Sequence, residues 1–320
     1  MTHLLSAAEI TKDQLISYIR LAERMCVKER NGSPLLDYYG GVSHLRFPTK
    51  TLITMFYEPS TRTNCSFQAA AIKLGCKVIA LTGQDSSSKK GESLEDTIRT
   101  LQYYGDAIVL RHPEKGSAER AAAVSNIPII NGGDGNGEHP TQALLDIFTI
   151  YSELFQRGID LFAGDDRAPI TVTFVGDLKN SRTVHSLIRL LVHFSSIRFA
   201  FVSPESLEMP EEISRNIVGQ KMPSIQEAIY NTDVLYMTRI QKERFATEDE
   251  YKAIMSNMEL YCLTPEIMQS AKETMILMHP LPRLQEIPPE IDDDPRAVYF
   301  KQVENGVYMR MAILCEIFRR

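Results

Sequence analysis

No stretch of these 320 residues approaches the length of an apolar membrane span. Met1 to Gln14 also lack the charged-then-apolar order of a secretory leader. Cysteine is sparse: Cys26, Cys65, Cys76, Cys262 and Cys315 are odd in number and show no C-x-x-C spacing. That usage argues against a disulfide framework or a zinc site and leads us to expect a reducing, cytoplasmic setting. Positive charge is not in excess either, with 35 Lys and Arg against 41 Asp and Glu, a net charge of −6. Broad binding to nucleic acid is therefore not expected, and an anionic substrate would need a local cluster of arginines. Short repeats and low-complexity tracts are missing. So is a G-x-G-x-x-G fingerprint in a strand-to-helix setting, which argues against a dinucleotide-dependent dehydrogenase.

Hydrophobic residues at 43% and charged residues at 24% fit an ordinary globular chain, long enough to expect two domains. Short apolar runs alternate with segments of helical period, the pattern of parallel sheets wrapped by helices. The runs Thr51–Phe56, Cys76–Leu81, Asp106–Leu110 and Pro128–Ile130 read as strands of the first half. Ile170–Val175, Ile197–Val202, Asp233–Met237 and Thr274–Met278 repeat the scheme in the second. Phe67, Ala70, Ala71 and Leu74 predict a helix stopped by Gly75, and Leu94, Ile98 and Leu101 another, ending at Gly105. Val184, Leu187, Ile188, Leu191 and Val192 predict a third. From Pro140 to Glu153 the pattern is apolar nearly all round, which predicts a buried helix, placed most simply between two domains. The expected class is α/β: two doubly wound parallel-sheet domains, 1–149 and 150–304, joined by interdomain helices. A C-terminal helix at about 305–320, carrying Met311, Leu314, Cys315 and Phe318, is expected to fold back on the first domain.

Chemistry-bearing residues gather where strands end. Ser60-Thr61-Arg62-Thr63 stands at the start of the helix after Thr51–Phe56. Free N–H groups, hydroxyls and a guanidinium together suit a phosphate there. Arg111-His112-Pro113 follows another strand, and ligands in open α/β sheets collect at such carboxyl ends. Asn131 to Gln142 reads as a glycine-rich loop entering the buried helix. In its first turn His139 and Gln142, three residues apart, offer a donor to a carbonyl oxygen and an amide. Ser86-Ser87-Ser88-Lys89-Lys90-Gly91-Glu92 is a polar loop whose lysines matter only where they reach a site. In the second half Gly176-Asp177-Leu178-Lys179-Asn180-Ser181-Arg182 and Arg239-Ile240-Gln241-Lys242-Glu243-Arg244 each follow a strand. Arg182 and Arg239 suit a dicarboxylate, since guanidinium binds carboxylate in a bidentate fork. His279-Pro280-Leu281-Pro282-Arg283 closes the last strand, its prolines leaving carbonyls free to accept and one Leu-Pro bond a candidate for cis.

In this order and spacing the motifs resemble those of the aspartate transcarbamoylases over essentially the whole chain. Lys90-Gly91-Glu92, His139-Pro140-Thr141-Gln142 and Arg182-Thr183-Val184-His185-Ser186 belong to the match. The resemblance implies a carbamoyl phosphate domain followed by an aspartate domain, and a homotrimer with active sites shared between neighbours. It implies transfer of a carbamoyl group from carbamoyl phosphate to L-aspartate in pyrimidine synthesis, with no cofactor or metal. By the resemblance Ser60, Thr61, Arg62, Thr63 and Arg111 hold phosphate, and Thr63, Arg111 and His139 polarise the carbamoyl oxygen. Gln142 and the carbonyls of Leu281 and Pro282 hold its amine. Arg182, Arg239 and Gln241 bind aspartate, while Ser86 and Lys90 come from the neighbouring subunit, Lys90 touching both substrates. Glu58 pairs with Arg182 and Arg244 on domain closure. Asn64 departs from the family, which often has arginine there. The rivals are an ornithine transcarbamoylase, whose pattern near the last strand is His-Cys-Leu-Pro, and a catalytically silent homologue, in which some of these arginines should be lost.

Overall fold

Thr51–Phe56 forms strand β1, buried from its second residue onward, and Ser60 turns the chain into the helix Thr61–Lys73. A computed structural model describes residues 2–30, 46–83, 91–162, 168–215, 217–245 and 247–319. Its chain divides into two compact units, Met1–Phe148 with Val303–Arg320, and Thr149–Gln302.

The first unit runs α1 (Lys12–Arg30), β1, α2 (Thr61–Lys73), β2 (Lys77–Thr82), α3 (Leu94–Leu101), β3 (Ala107–His112), α4 (Ser117–Val124) and β4 (Ile129–Asp134), then enters α5 (Pro140–Gln156). Phe67, Ala70, Ala71 and Leu74 are fully buried along α2, while Ile72, off that stripe, is 65% exposed. Gly75 ends the helix at φ 77°, a left-handed turn that residues without a Cβ adopt at no steric cost. The four strands are parallel in the order β2-β1-β3-β4. Since β2 and β3 flank β1, the winding reverses between β1 and β3, and a crevice opens where neighbouring connections leave in opposite directions. Phe56 lies opposite Arg111 at that end.

The second unit contains β5 (Ile170–Val175), α6 (Arg182–Leu191), β6 (Ile197–Val202), α7 (Glu211–Ser214), β7 (Gly219–Lys221), α8 (Ile225–Ala228) and β8 (Val234–Met237). It continues through α9 (Glu248–Met255), α10 (Pro265–Gln269) and β9 (Ile276–Met278) to α11 (Tyr299–Phe318). Its parallel sheet has the order β7-β6-β5-β8-β9, so the winding reverses between β5 and β8. The division between units falls inside α5 and again inside α11. Among the described residues no helix is long and apolar enough to cross a membrane.

Several expectations shift. The strand expected at Pro128–Ile130 runs from Ile129 to Asp134, all six residues buried, so the first third of the glycine-rich stretch is sheet. Glycine carries no β signal, yet at Gly132 a Cβ would stand only 3.2 Å from the Leu110 carbonyl oxygen, and small residues suit that approach. Val192 is 47% exposed because α6 ends at Leu191 and position 192 turns off the apolar stripe. The helix expected to run to Gly105 ends at Leu101. Strand β7, wholly exposed, has no apolar pattern to announce it, whereas α1, which buries Leu15, Ile19, Ala22 and Met25 at helical spacing, was passed over in the sequence reading although the signal is there.

Candidate active site

The two reversal points carry the same local device. Ser93, Ser224, Thr247 and Thr264 cap their helices in the ordinary way, each side chain accepting from the backbone N–H three residues on. Ser60 and Ser181, at the starts of α2 and α6, do not. Both helices follow the strand from which the winding reverses, so their N-termini stand at the carboxyl ends of β1 and β5.

In the first unit the surroundings of that opening are cationic. Arg62 is exposed in the first turn of α2, and burial followed by the nearby charge of Arg111 lowers its pKa. The two guanidinium groups concentrate positive charge at this helix start. Arg111, largely buried, has its pKa lowered by burial and partly restored by Glu58. Its Nε lies 3.2 Å from Glu58 Oε2, an ion pair rather than an aligned hydrogen bond, and its Nη1 reaches the Gly132 carbonyl at 3.5 Å. The backbone locks this end of the sheet, with Tyr57 N–H donating to the Arg111 carbonyl at 2.9 Å. Thr63 is buried, its Oγ1 3.3 Å from His139 Nε2, while Thr141 Oγ1 lies 3.4 Å from His139 Nδ1. Gln142, one turn further on, donates from Nε2 to Asp146 Oδ1 at 2.8 Å.

The second unit holds a different set. Gly176 leaves β5 at φ 110°, where a Cβ would meet the Thr238 carbonyl oxygen at 2.2 Å. That closeness ties the end of β5 to the end of β8, just before Arg239. Asp177 is fully buried; it accepts from the Asn180 N–H at 3.0 Å and from Gln241 Nε2 at 3.5 Å. Burial raises its pKa, and the Asn180 and Gln241 hydrogen bonds oppose the rise. Arg182 is the first residue of α6 and Arg239 follows Thr238, both half-buried, while Arg244 is exposed on a short turn. Beyond β9, the Leu281 N–H donates to His279 Nδ1 at 2.8 Å, so the ring hydrogen sits on Nε2, which reaches Glu286 Oε1 at 2.9 Å. That pair holds Leu281 at φ 57° beside a cis Leu281–Pro282 bond. Arg283 is committed to Asp292 and Tyr299.

Ser60, Thr61, Arg62, Thr63, Arg111, His139 and Gln142 thus belong to one unit, and Arg182, Arg239, Gln241, Arg244, Leu281 and Pro282 to the other. Glu58, expected against Arg182 and Arg244, is paired with Arg111. Ser86 and Lys90 lie outside the described residues. Among the described residues no group of three or more His, Cys, Asp or Glu is arranged to hold a metal ion. Sequence reading passed over Asp146, although a lone aspartate in so apolar a helix, four residues after Gln142, was a visible signal.

Comparison with known proteins now bears on these features. Residues 2–152 match the family description "Aspartate/ornithine carbamoyltransferase, carbamoyl-P binding domain", and residues 168–317 match "Aspartate/ornithine carbamoyltransferase, Asp/Orn binding domain". The chain belongs to this family. It is 43% identical to the aspartate carbamoyltransferase catalytic subunit of Archaeoglobus fulgidus, over 99% of both chains. It is also 48% identical to the multifunctional protein CAD of Squalus acanthias, over 98% of this chain but 13% of that protein. The chain therefore spans about an eighth of the length of such multifunctional relatives. Among solved structures, aspartate transcarbamoylase from Trypanosoma cruzi in complex with N-(phosphonacetyl)-L-aspartic acid superposes with a TM-score of 0.87 at 38% identity, covering 99% of this chain and 95% of that one. The catalytic subunit from M. jannaschii gives 0.85 at 42% identity, covering 99% and 98%.

Proposed function

We infer that this chain is an aspartate carbamoyltransferase, moving the carbamoyl group of carbamoyl phosphate to the amine of L-aspartate with release of phosphate, an early step of pyrimidine synthesis. The observation that carries the reading is the pair of helix starts at the two reversal points whose cap serines, Ser60 and Ser181, make no capping hydrogen bond, each at the end of a strand whose neighbour ends near an arginine. One suits a phosphate, the other a carboxylate.

The neutral amine attacks the carbamoyl carbon and charge grows on the carbonyl oxygen. Thr63, Arg111 and His139 are the donors for that oxygen, and loss of one such donor typically costs about 10²–10³ in rate. The His139 ring lies between Thr141 Oγ1 at Nδ1 and Thr63 Oγ1 at Nε2, and the tautomer with its hydrogen on Nε2 is the one that donates to the carbamoyl oxygen. Ser60, Thr61, Arg62 and Arg111 hold the phosphate. Gln142 and the carbonyls of Leu281 and Pro282 take the carbamoyl amine. Arg182, Arg239 and Gln241 take the aspartate carboxylates. Holding both substrates in place supplies a further entropic advantage, and the leaving phosphate accepts the amine proton. Neither a covalent intermediate nor a cofactor is needed for that sequence. Ser86 and Lys90 act in a neighbouring subunit's site within a cytoplasmic homotrimer, and Glu58 leaves Arg111 for Arg182 and Arg244 on closure.

The test is a direct assay with carbamoyl phosphate and either amino acid. Carbamoyl aspartate is the expected product, and carbamoylation of ornithine alone would overturn the reading. Mass photometry, with and without a phosphonate that mimics both substrates, reads the trimer; a monomer in both conditions would remove the shared-site assignment.

A further inference from the structure

Behind Gln142 lie two buried charged groups, Asp146 and Arg310, to which the transfer reaction gives no role. Gln142 Nε2 donates to Asp146 Oδ1 at 2.8 Å, and Asp146 is fully buried. A buried counter-charge stands close enough to interact with it: Arg310 of α11, 3% exposed, whose positive charge Asp146 stabilises. Arg310 donates from Nη1 to the Gly306 carbonyl at 3.2 Å, and its guanidinium stacks 5.1 Å from the centre of the Phe67 ring. Phe67 belongs to α2, the helix whose first turn carries the phosphate-binding residues.

A side-chain amide has a donor end and an acceptor end, and nothing in its own shape says which faces a ligand. A carboxylate beside a buried guanidinium only accepts. It therefore draws the Gln142 nitrogen inward and leaves Oε1 pointing away from Asp146. We propose that Asp146, with Arg310 behind it, is a positioning and specificity residue: it fixes the Gln142 amide with its oxygen towards substrate, so that the site prefers an acyl phosphate bearing an NH₂ group over one bearing a methyl. The proposal rests on the functional reading above, in which Gln142 meets the carbamoyl amine, and adds the cause of its orientation.

The experiment compares carbamoyl phosphate with acetyl phosphate, which places a methyl group where the amine would be, as the ratio of their kcat/KM values with aspartate. Gln142→Met, at a half-buried position, removes the acceptor; the ratio should fall about ten-fold, the scale of one hydrogen bond to a neutral donor. Asp146→Asn can present either end to Gln142, and the ratio should fall towards the same value. The two changes together should lower it no further than Gln142→Met alone. A merely structural Asp146 would depress both substrates equally and leave the ratio intact, which would overturn the proposal, as would an unchanged ratio in Gln142→Met. Asp146→Asn with Arg310→Met removes both buried charges and serves where the single change does not fold. A crystal structure with carbamoyl phosphate, at a resolution that separates amide nitrogen from oxygen, reads the point without substitution: Nε2 towards the ligand overturns it. If the unaltered chain forms no carbamoyl aspartate, the functional reading fails instead.

Discussion

At the reversal point between β1 and β3 the acidic side chain, Glu58, is 33% exposed and faces a guanidinium at 3.2 Å. At the point between β5 and β8 the acidic side chain, Asp177, is fully buried and occupied by the backbone and side chain of Asn180. The same topology has therefore placed a carboxylate to opposite ends. Glu58 sits where an incoming anion can replace it, because an ion pair at a partly solvated edge is worth little by itself. Asp177 is a fixture: it shapes the loop that carries Asn180 and holds Gln241 beside it. One acid is provisional and the other is architectural.

The largest expected effect tests the first half of that contrast. Arg111→Ala removes both the partner of Glu58 and the proposed donor to the carbamoyl oxygen; we expect kcat/KM to fall by about 10²–10³ or more with little change in melting temperature. Arg62→Ala should behave similarly, and unchanged turnover in either would remove the phosphate seat. Gly176→Ala comes next. A Cβ at φ 110° and 2.2 Å from a carbonyl oxygen should cost about 3 kcal/mol in urea unfolding, and a neutral result would mean that the β5 and β8 ends are not tied as described. Asp177→Ala leaves the Asn180 N–H and amide without their acceptor, for an expected loss of about 1–3 kcal/mol. Glu58→Gln, by contrast, should change stability by less than about 1 kcal/mol. Equal losses for Asp177→Ala and Glu58→Gln would erase the distinction between the two acids.

The smallest effect is on pH dependence. His185, one turn into α6, donates from Nε2 to the Leu178 carbonyl at 2.7 Å, and burial lowers its pKa from the usual 6.5. Leu178, Glu212 and Asp177 pull the other way and Arg189 adds to the lowering. Below 6.5 the unfolded chain takes up a proton that the folded chain resists, so this contribution is complete above that pH and declines as pH falls. His185→Gln should flatten that decline in denaturant titrations, and an unchanged slope would assign acid sensitivity to other groups.

How far sequence reading carried depended on whether a signal was local. β1, β5 and β6 were legible to the residue, since each is an apolar run between breakers. The carboxyl-end position of Ser60 to Thr63, Arg111, Arg182 and Arg239 was legible for the same reason. The length of β4 was not, because its last residues are Asn, Gly, Gly and Asp, held in the sheet by the approach of β3 rather than by their own preference. Nor was the contact of Arg310 with Phe67, which joins positions 243 residues apart through the packing of α11 on α2. Reversal points became visible only with strand order, since two sheets of the same run of elements can wind in other ways.

The assignment of Val303–Arg320 to the first unit has a consequence for biosynthesis. Phe67 and Leu145, which lie against Arg310 and Gly306, leave the ribosome more than 150 residues before those partners do. Met309, Met311, Ala312, Ile313 and Leu314, all without solvent exposure, likewise arrive last. The half of the molecule that is translated first should thus be the half that matures second. A nascent chain arrested at residue 302 should be cut readily by protease within 46–148 while 168–302 already resists.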